Sequence, residues 1–352
     1  MNEAAPPSTI GRKLLIVFVC LIVLIGGWTG GWFWLKGEAA RRMDDQLERL
    51  ATRGIAITCP DRTIGGWPFR FDIDCSNPTL TQPSRLTSVA LKHLRLTTLV
   101  YQPTLVILEL DGPLAATGPN GESIHAVWTQ LQASIGLTLS PAIRPQRLSV
   151  AVDGLTAGAA RPGSQEVKLT TTHAELHTRP APDANPGAED IDIAASLAAA
   201  TVSIADRPIG PEATDWTLAA VARNLPASLV EGQSAAQAWA ENLGRLDLRA
   251  VRMTLGAFAL NGQGSLSIGL DGLLGGQIKL VASGLGSIMA PTAASLKGRA
   301  ELIGLATAFT LFGKPVQDPS GTAPAGRGLD MTIEQGRIKV GPTAFGHIPP
   351  LF

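Results

Sequence analysis

Charge is scarce in this sequence. Asp, Glu, Lys and Arg make up 16% of 352 residues, and 29 basic side chains cancel 29 acidic ones to leave a formal net charge of zero. A protein that grips nucleic acid by its phosphates carries a basic excess or stripe, because those contacts supply most of the affinity. Neither is present, which excludes nucleic acid as a partner. Aromatic residues are few, at 5%, and the three cysteines allow one bridge at most.

Catalytic motifs are also missing. No G-x-x-x-x-G-K-[ST] loop is available to cradle a nucleoside triphosphate, and Gly313-Lys314-Pro315 lacks both the upstream glycine and the hydroxyl. Ser123 in Gly121-Glu122-Ser123-Ile124-His125 and Ser234 in Gly232-Gln233-Ser234-Ala235-Ala236 each lack the final glycine of a G-x-S-x-G elbow. The expectation is a protein without cofactor that is not an enzyme. No tandem repeat of fixed length stands out, although a unit of strand, Asp-Gly and strand recurs at Asp111-Gly112, Asp153-Gly154 and Asp271-Gly272.

What is abundant is apolar and turn-forming. Hydrophobic residues reach 45%, enough for a sizeable core, while glycine and proline together occupy 63 positions, which argues against an all-helical bundle. From Leu14 to Leu35 no charge interrupts 22 residues, with Arg12 and Lys13 before them and Lys36 after. At about 1.5 Å per residue the stretch covers about 33 Å, enough to cross a bilayer core. Trp28, Trp32, Phe33 and Trp34 gather at one end, where amphipathic rings settle at headgroup level. The reading is a single-pass anchor at 14–35 after a cytoplasmic tail at 1–13. A cleaved leader is the alternative, since Leu14 to Ile25 would serve as its apolar region, but no small-x-small cleavage motif follows.

Residues 36–53 carry Ala40, Met43, Leu47 and Leu50 on one helical face, and Gly54 stands where that helix should stop. Cys20 lies in the anchor, leaving Cys59 and Cys75 as the one available pair. They flank Gly65-Gly66-Trp67-Pro68 symmetrically, so a hairpin would bring them together in a bridge contributing about 3 kcal/mol, and two free buried thiols are the other reading. Such a bridge suits an oxidising compartment, and the chain is expected to face the periplasm from a bacterial inner membrane, N-terminus inside.

After Gly54 the dominant period is two. Phe69, Phe71, Ile73 and Cys75 share one face and Arg70, Asp72 and Asp74 the other. The same alternation returns at Leu148, Val150 and Val152, at Leu246 and Leu248, and at Leu266, Ile268 and Leu270, then Ile278, Leu280 and Ala282 after the Asp271-Gly272 turn. Helices are expected at about 226–243 and 291–312, each with proline near its first turn. Residues 179–190 and 315–328 read as loops. The fold class is mainly β, a β-rich α+β chain in which the anchor precedes an antiparallel sheet, open or curved, with two packed helices. Its parts are a β-rich 54–225 and a β-rich 226–352.

Three places attract a functional reading. His173, Glu175 and His177 would share one face of a strand, either as a solvated polar edge or as part of a metal set lacking a fourth ligand. Asp72 and Asp74 with Arg70 are a carboxylate pair or simply a wet face. The tip Gly66, Trp67, Pro68 and Phe69 either folds back onto the core or offers an aromatic anchor for binding.

The run Ile64-Gly65-Gly66-Trp67-Pro68-Phe69-Arg70-Phe71, after a juxtamembrane helix and between two cysteines, resembles the N-terminal signature of an alphaproteobacterial family, domain of unknown function 2125. The ending Gly336-Arg337-Ile338-Lys339-Val340-Gly341-Pro342 into Ile348-Pro349-Pro350-Leu351-Phe352 resembles that family's C-terminal hairpin. The resemblance implies an envelope location and a β-rich architecture, and no reaction. Residues 261–282 are similar to the repeated strands of AsmA-like envelope proteins, which implies lipid handling. The expectation is a membrane-anchored periplasmic protein that binds or conducts lipid or another amphiphile in an apolar β groove; the alternative is a structural or assembly factor working through envelope proteins.

Overall fold

The computed structural model describes residues 9–83, 87–138, 144–184, 189–226, 234–289, 300–316, 326–340 and 343–352. It opens with one unbroken helix, α1 (Thr9–Thr52), so the apolar stretch and the striped helix after it form a single rod about 66 Å long. Its large side chains from Leu14 to Ile25 are at least half exposed, and the helix is long and apolar enough to cross a membrane. Further along, Ala40, Met43, Leu47 and Leu50 are half-buried while most of their neighbours are exposed. Gly54, at φ +78°, ends the helix: its N–H bonds the Ala51 carbonyl and the Ile55 N–H bonds that of Leu50, both at 2.9 Å.

The rest is mostly strand, 59% of the chain. The first group is β1 (Ala56–Thr58), β2 (Thr63–Gly65), β3 (Arg70–Ser76), β4 (Thr79–Gln82), β5 (Thr87–Leu99), β6 (Gln102–Thr117), β7 (Ser123–Val127) and β8 (Gln130–Thr138). Four long strands follow: β9 (Arg144–Ala160), β10 (Val167–Pro180), β11 (Ile191–Ile204) and β12 (Arg207–Arg223). The last group is β13 (Arg245–Leu255), β14 (Phe258–Ile268), β15 (Leu274–Ser283), β16 (Lys314–Val316), β17 (Gly326–Glu334), β18 (Arg337–Val340) and β19 (Thr343–His347).

Every pairing is antiparallel, and nearly every strand pairs with its neighbour in sequence. β3 and β4 lie end to end along β5, with β2 and β1 on their outer edge. β7 and β8 lie end to end between β6 and β9. From β9 the meander runs to β15, which pairs with β17; β16 and β18 share the far side of β17, and β19 pairs with β18. Among the described residues no strand pairing joins the two ends, so the sheet stays open.

This architecture explains an accessible surface of 22518 Å², against about 13,500 Å² for a compact monomer of the same mass. Among the described residues one hydrophobic core cluster lies near the C-terminal end, where α4 (Ala300–Phe312) sets Phe309, fully buried, against Met253, Phe258, Ala282, Leu329 and Val340. Further buried residues include Ala220, Val221 and Ala222 of β12 with Ala238 and Ala240 of the helix before β13. Two shorter helices are α2 (Ala235–Glu241), capped by Ser234, whose hydroxyl accepts the Gln237 N–H at 3.1 Å, and α3 (Leu285–Met289), which the sequence pattern does not announce.

Several expectations are modified. Of the two expected helices, α2 fills only 235–241 of the first and α4 runs from 300 to the expected end at 312; the stretches 227–233 and 290–299, with Pro291, lie outside the described residues, as do 185–188 and 317–325 of the expected loops, residues 1–8 of the tail and Gly341-Pro342. Asp271-Gly272 does make the turn between β14 and β15, but Asp111-Gly112 lies within β6 and Asp153-Gly154 within β9. Both pairs sit level with Trp128 and Thr129, where β7 hands over to β8, so they mark bends in long strands instead of hairpin ends.

Candidate functional site

Directly opposed residues of an antiparallel pair project on the same face, so the register identifies what each face presents. From β2, one row begins Ile64, Ile73, Leu96, Leu108, Ala133 and Val150. It continues through Leu176, Ala195, Leu218 and Val251, then Gly262, Leu280 and Leu329. Thirteen strands contribute to this row and none places a polar side chain in it. At about 4.8 Å per strand it runs about 58 Å across the sheet.

The row beside it is apolar as well, through Leu94, Leu110, Leu131, Val152, Ala174 and Leu197. From Ile64 to Val251 no member of the first row is buried, and Leu176 is 36% exposed. Gly262 and Leu329 further along the row are buried, Leu329 in the cluster that α4 joins. Interior leucines and valines are ordinarily buried, so a first row of this length that is only half-buried is an open apolar surface, although Val152 in the row beside it is buried.

The opposite face is polar. Asp74, Arg95, Glu109 and Gln132 stand side by side on successive strands, with Arg95 Nε 2.8 Å from Asp74. His173, Glu175 and His177 do share this face, as their spacing predicts. Glu175 accepts from both imidazoles, at 3.0 and 3.5 Å, and the other His173 ring nitrogen lies 2.6 Å from Asp153. Glu175 first and Asp153 second hold the His173 imidazolium above the usual histidine range, and His173 in turn holds the Glu175 carboxyl below its own. Among the described residues no group of three or more His, Cys, Asp or Glu side chains is arranged to hold a metal.

Asp72 is buried and not wet: Arg70 Nε lies 2.7 Å from it and the Thr97 hydroxyl donates at 2.9 Å. Of the two serines in near-elbows, Ser234 caps α2 and Ser123 opens β7 in an exposed turn. A tighter knot, invisible in the sequence because its members lie far apart, surrounds Arg223. Its three nitrogens reach Asp183, Asp190 and Asp247 at 2.9 to 3.0 Å. The Asp183 carboxylate first, then the other two, raise the Arg223 pKa. Burial pushes the Asp247 carboxyl up, but hydrogen bonds from Arg245 and Arg223 outweigh it and hold it below the usual range.

The hairpin tip joins the sheet to α1. The Trp28 indole donates to the Pro68 carbonyl at 3.0 Å and the Trp32 indole to that of Arg70 at 3.3 Å. Trp32, only 4% exposed, stacks on Phe71 with ring centroids 5.6 Å apart. Lys36 Nζ lies over the Trp32 ring, 5.7 Å from its centroid. Gly66, at φ +97°, is required because a Cβ there would meet the Arg70 carbonyl at 2.6 Å. Trp67 and Phe69 do not fold back: they are 52% and 58% exposed.

Cys59 and Cys75 are disulfide-bonded, with Cα atoms 5.6 Å apart. They are not directly opposed, because the pairing of Thr63 with Asp74 centres the turn beyond Trp67. Cys59 instead reaches across from the break between β1 and β2.

The family described as an uncharacterized protein conserved in bacteria, domain of unknown function 2125, matches residues 32–349. The chain belongs to that family. No curated protein and no solved structure matches it, and the AsmA-like likeness of residues 261–282 is not shown by these comparisons.

Proposed function

We propose that this member of the family is an inner-membrane-anchored periplasmic protein that holds or conducts lipid, or another amphiphile, along the uncovered apolar face of its sheet. The observation that carries this reading is the row from Ile64 to Val251, apolar on every strand and buried on none. An acyl chain laid on such a surface gains about 0.8 kcal/mol for each CH₂ removed from water, so the role requires no catalytic residue. The Cys59–Cys75 bridge is compatible with a periplasmic location. At the far end α4 packs on the same face, so the open stretch lies on the side nearer α1.

The test is native mass spectrometry of the full chain released gently from membranes, with lipid extraction of the same sample. Near-stoichiometric phospholipid or another amphiphile supports the reading. A clean apoprotein with its disulfide intact refutes it. The second reading, an assembly factor acting through protein partners, draws on the outer edge of β19, which has no further strand beside it among the described residues.

A further inference from the structure

Between Arg62 and Arg70 the chain carries no charge, and these residues form β2 and the turn into β3. Arg62 pairs with Asp44 of α1 at 2.7 Å, while Pro68 is bound by Trp28, 16 residues earlier on that helix. Those 16 residues of helix rise about 24 Å, and the strand from Arg62 to Pro68 covers about 20 Å, so the hairpin descends alongside α1. The uncharged part of α1 ends at Leu35. Trp28 and Trp32 lie about 12 and 6 Å short of Lys36, within the apolar rod, and the tip lies with them.

We infer that the Gly66–Phe69 tip is embedded in the bilayer leaflet from which α1 emerges and forms the mouth of the apolar face, through which a phospholipid acyl chain leaves that leaflet. The inference rests on the lipid-holding reading and names where the lipid is taken up. Three features fit a nearly waterless site. The carbonyls of Pro68 and Arg70 receive indole N–H groups from α1, as backbone groups in hydrocarbon must be satisfied within the protein. Trp67 and Phe69 stay more than half exposed, the Phe69 ring tilted against Trp28 with centroids 6.0 Å apart, and the first charged residues on either side are the arginines that end the uncharged run. Phe71 links the tip to the apolar face: it stacks on Trp32, and its neighbour two residues on, Ile73, is the second member of the row.

The experiment uses the full chain in phosphatidylcholine vesicles, with Cys20, the free cysteine, changed to Ser and an environment-sensitive fluorophore attached at Trp67→Cys. Control probes occupy Phe18→Cys in the apolar helix and Leu243→Cys, 80% exposed and far along the sheet. With lipids brominated on their acyl chains, the probes at 67 and 18 should each be quenched, while the probe at 243 keeps its emission. A quenched probe at 18 with an unquenched probe at 67 overturns the inference and leaves the anchor standing; both unquenched overturns the anchor as well. In a second arm, Trp67→Asp combined with Phe69→Asp should lower bound lipid severalfold by mass spectrometry while the disulfide and circular dichroism stay as in the parent. Unchanged occupancy in that variant overturns the mouth, whereas a parent chain that holds no lipid overturns the lipid-holding reading and leaves the quenching result to decide the position of the tip.

Discussion

Changing Leu176 to Asp separates an open apolar surface from a sealed core. Leu176 lies midway along the row, opposite Val150 and Ala195, and is 36% exposed. Burying a leucine completely contributes about 1.5–3 kcal/mol, so losing the covered two thirds costs about 1–2 kcal/mol. Aspartate is also a poor strand former, worth up to about 1 kcal/mol more. The expected loss is therefore about 2–3 kcal/mol, because the new carboxylate keeps its contact with water. In a sealed core the same group would be buried without a partner, and the penalty would approach the stability of a whole domain, about 5–15 kcal/mol. Phe309→Asp, at a fully buried position under α4, supplies that comparison. The assay is urea denaturation of the full chain in detergent, followed by far-ultraviolet circular dichroism. Leu176→Asp should keep a cooperative transition at lower urea, and Phe309→Asp should lose it. If both lose it, the row is interior and the argument for an uncovered face fails.

Other consequences can be measured on the same preparation. Replacing Cys59 and Cys75 together by Ser opens a bridge between residues 16 apart and should cost about 3 kcal/mol; an unchanged denaturation midpoint would count against a closed bridge. Arg223→Met leaves Asp190, 4% exposed, without its ion pair and should cost about 3 kcal/mol. Arg223→Lys should not restore it, since three separate nitrogens serve three carboxylates, and full rescue by Lys would contradict that geometry. Asp183 and Asp247 both titrate below the usual carboxylate value of 3.8, so their contribution is complete above that value and is lost as pH falls through the lower folded values. A pH series should show stability dropping below pH 4, less steeply in Arg223→Met. His173 titrates above 6.5, so its contribution is complete below that pH and fades as pH rises through the raised value; a histidine resonance titration should find it there, and Glu175→Gln should bring it down.

Local pattern carried much of the architecture. The charge-free run, the stripe at Ala40, Met43, Leu47 and Leu50, and Gly54 describe α1 and its end, because helix periodicity and a left-handed stop are properties of neighbouring residues. The period of two at Phe71, Ile73 and Cys75 likewise reports one face of β3. Register is different. That Leu108, Ala133, Val150 and Leu176 stand in one row depends on where four strands align, which alternation within any one of them does not fix. β11 contains Ala-Ala-Ser-Leu-Ala-Ala-Ala, whose residues favour helix, and it is a strand because β10 and β12 pair along both its edges. The Asp-Gly pairs at 111 and 153 mislead for a related reason: glycine permits a bend as readily as a turn, and neighbouring strands decide which occurs. The Arg223 knot draws on residues between Asp183 and Asp247, beyond the reach of spacing arguments.

The distribution of cover over the sheet bears on which surface meets a partner. Strand edges invite pairing with other chains, and folded proteins shorten or cover them. At one end β1 and β2 are three residues each, with α1 alongside and Arg62 tied to Asp44. At the other, β19 is five residues long, and the C-terminal tail turns back so that the Leu351 N–H bonds the Gly272 carbonyl at 3.0 Å. Neither edge offers a long template for an added strand. The apolar face is treated differently: α4 packs on it near the C-terminal end, while on ten strands, from Ile64 on β2 to Val251 on β13, the member of the row is not buried. Aqueous exposure of that band would cost more than exposure of either short edge, so the face, beginning beside the Trp32–Phe71 stack, is where an apolar partner gains most by binding.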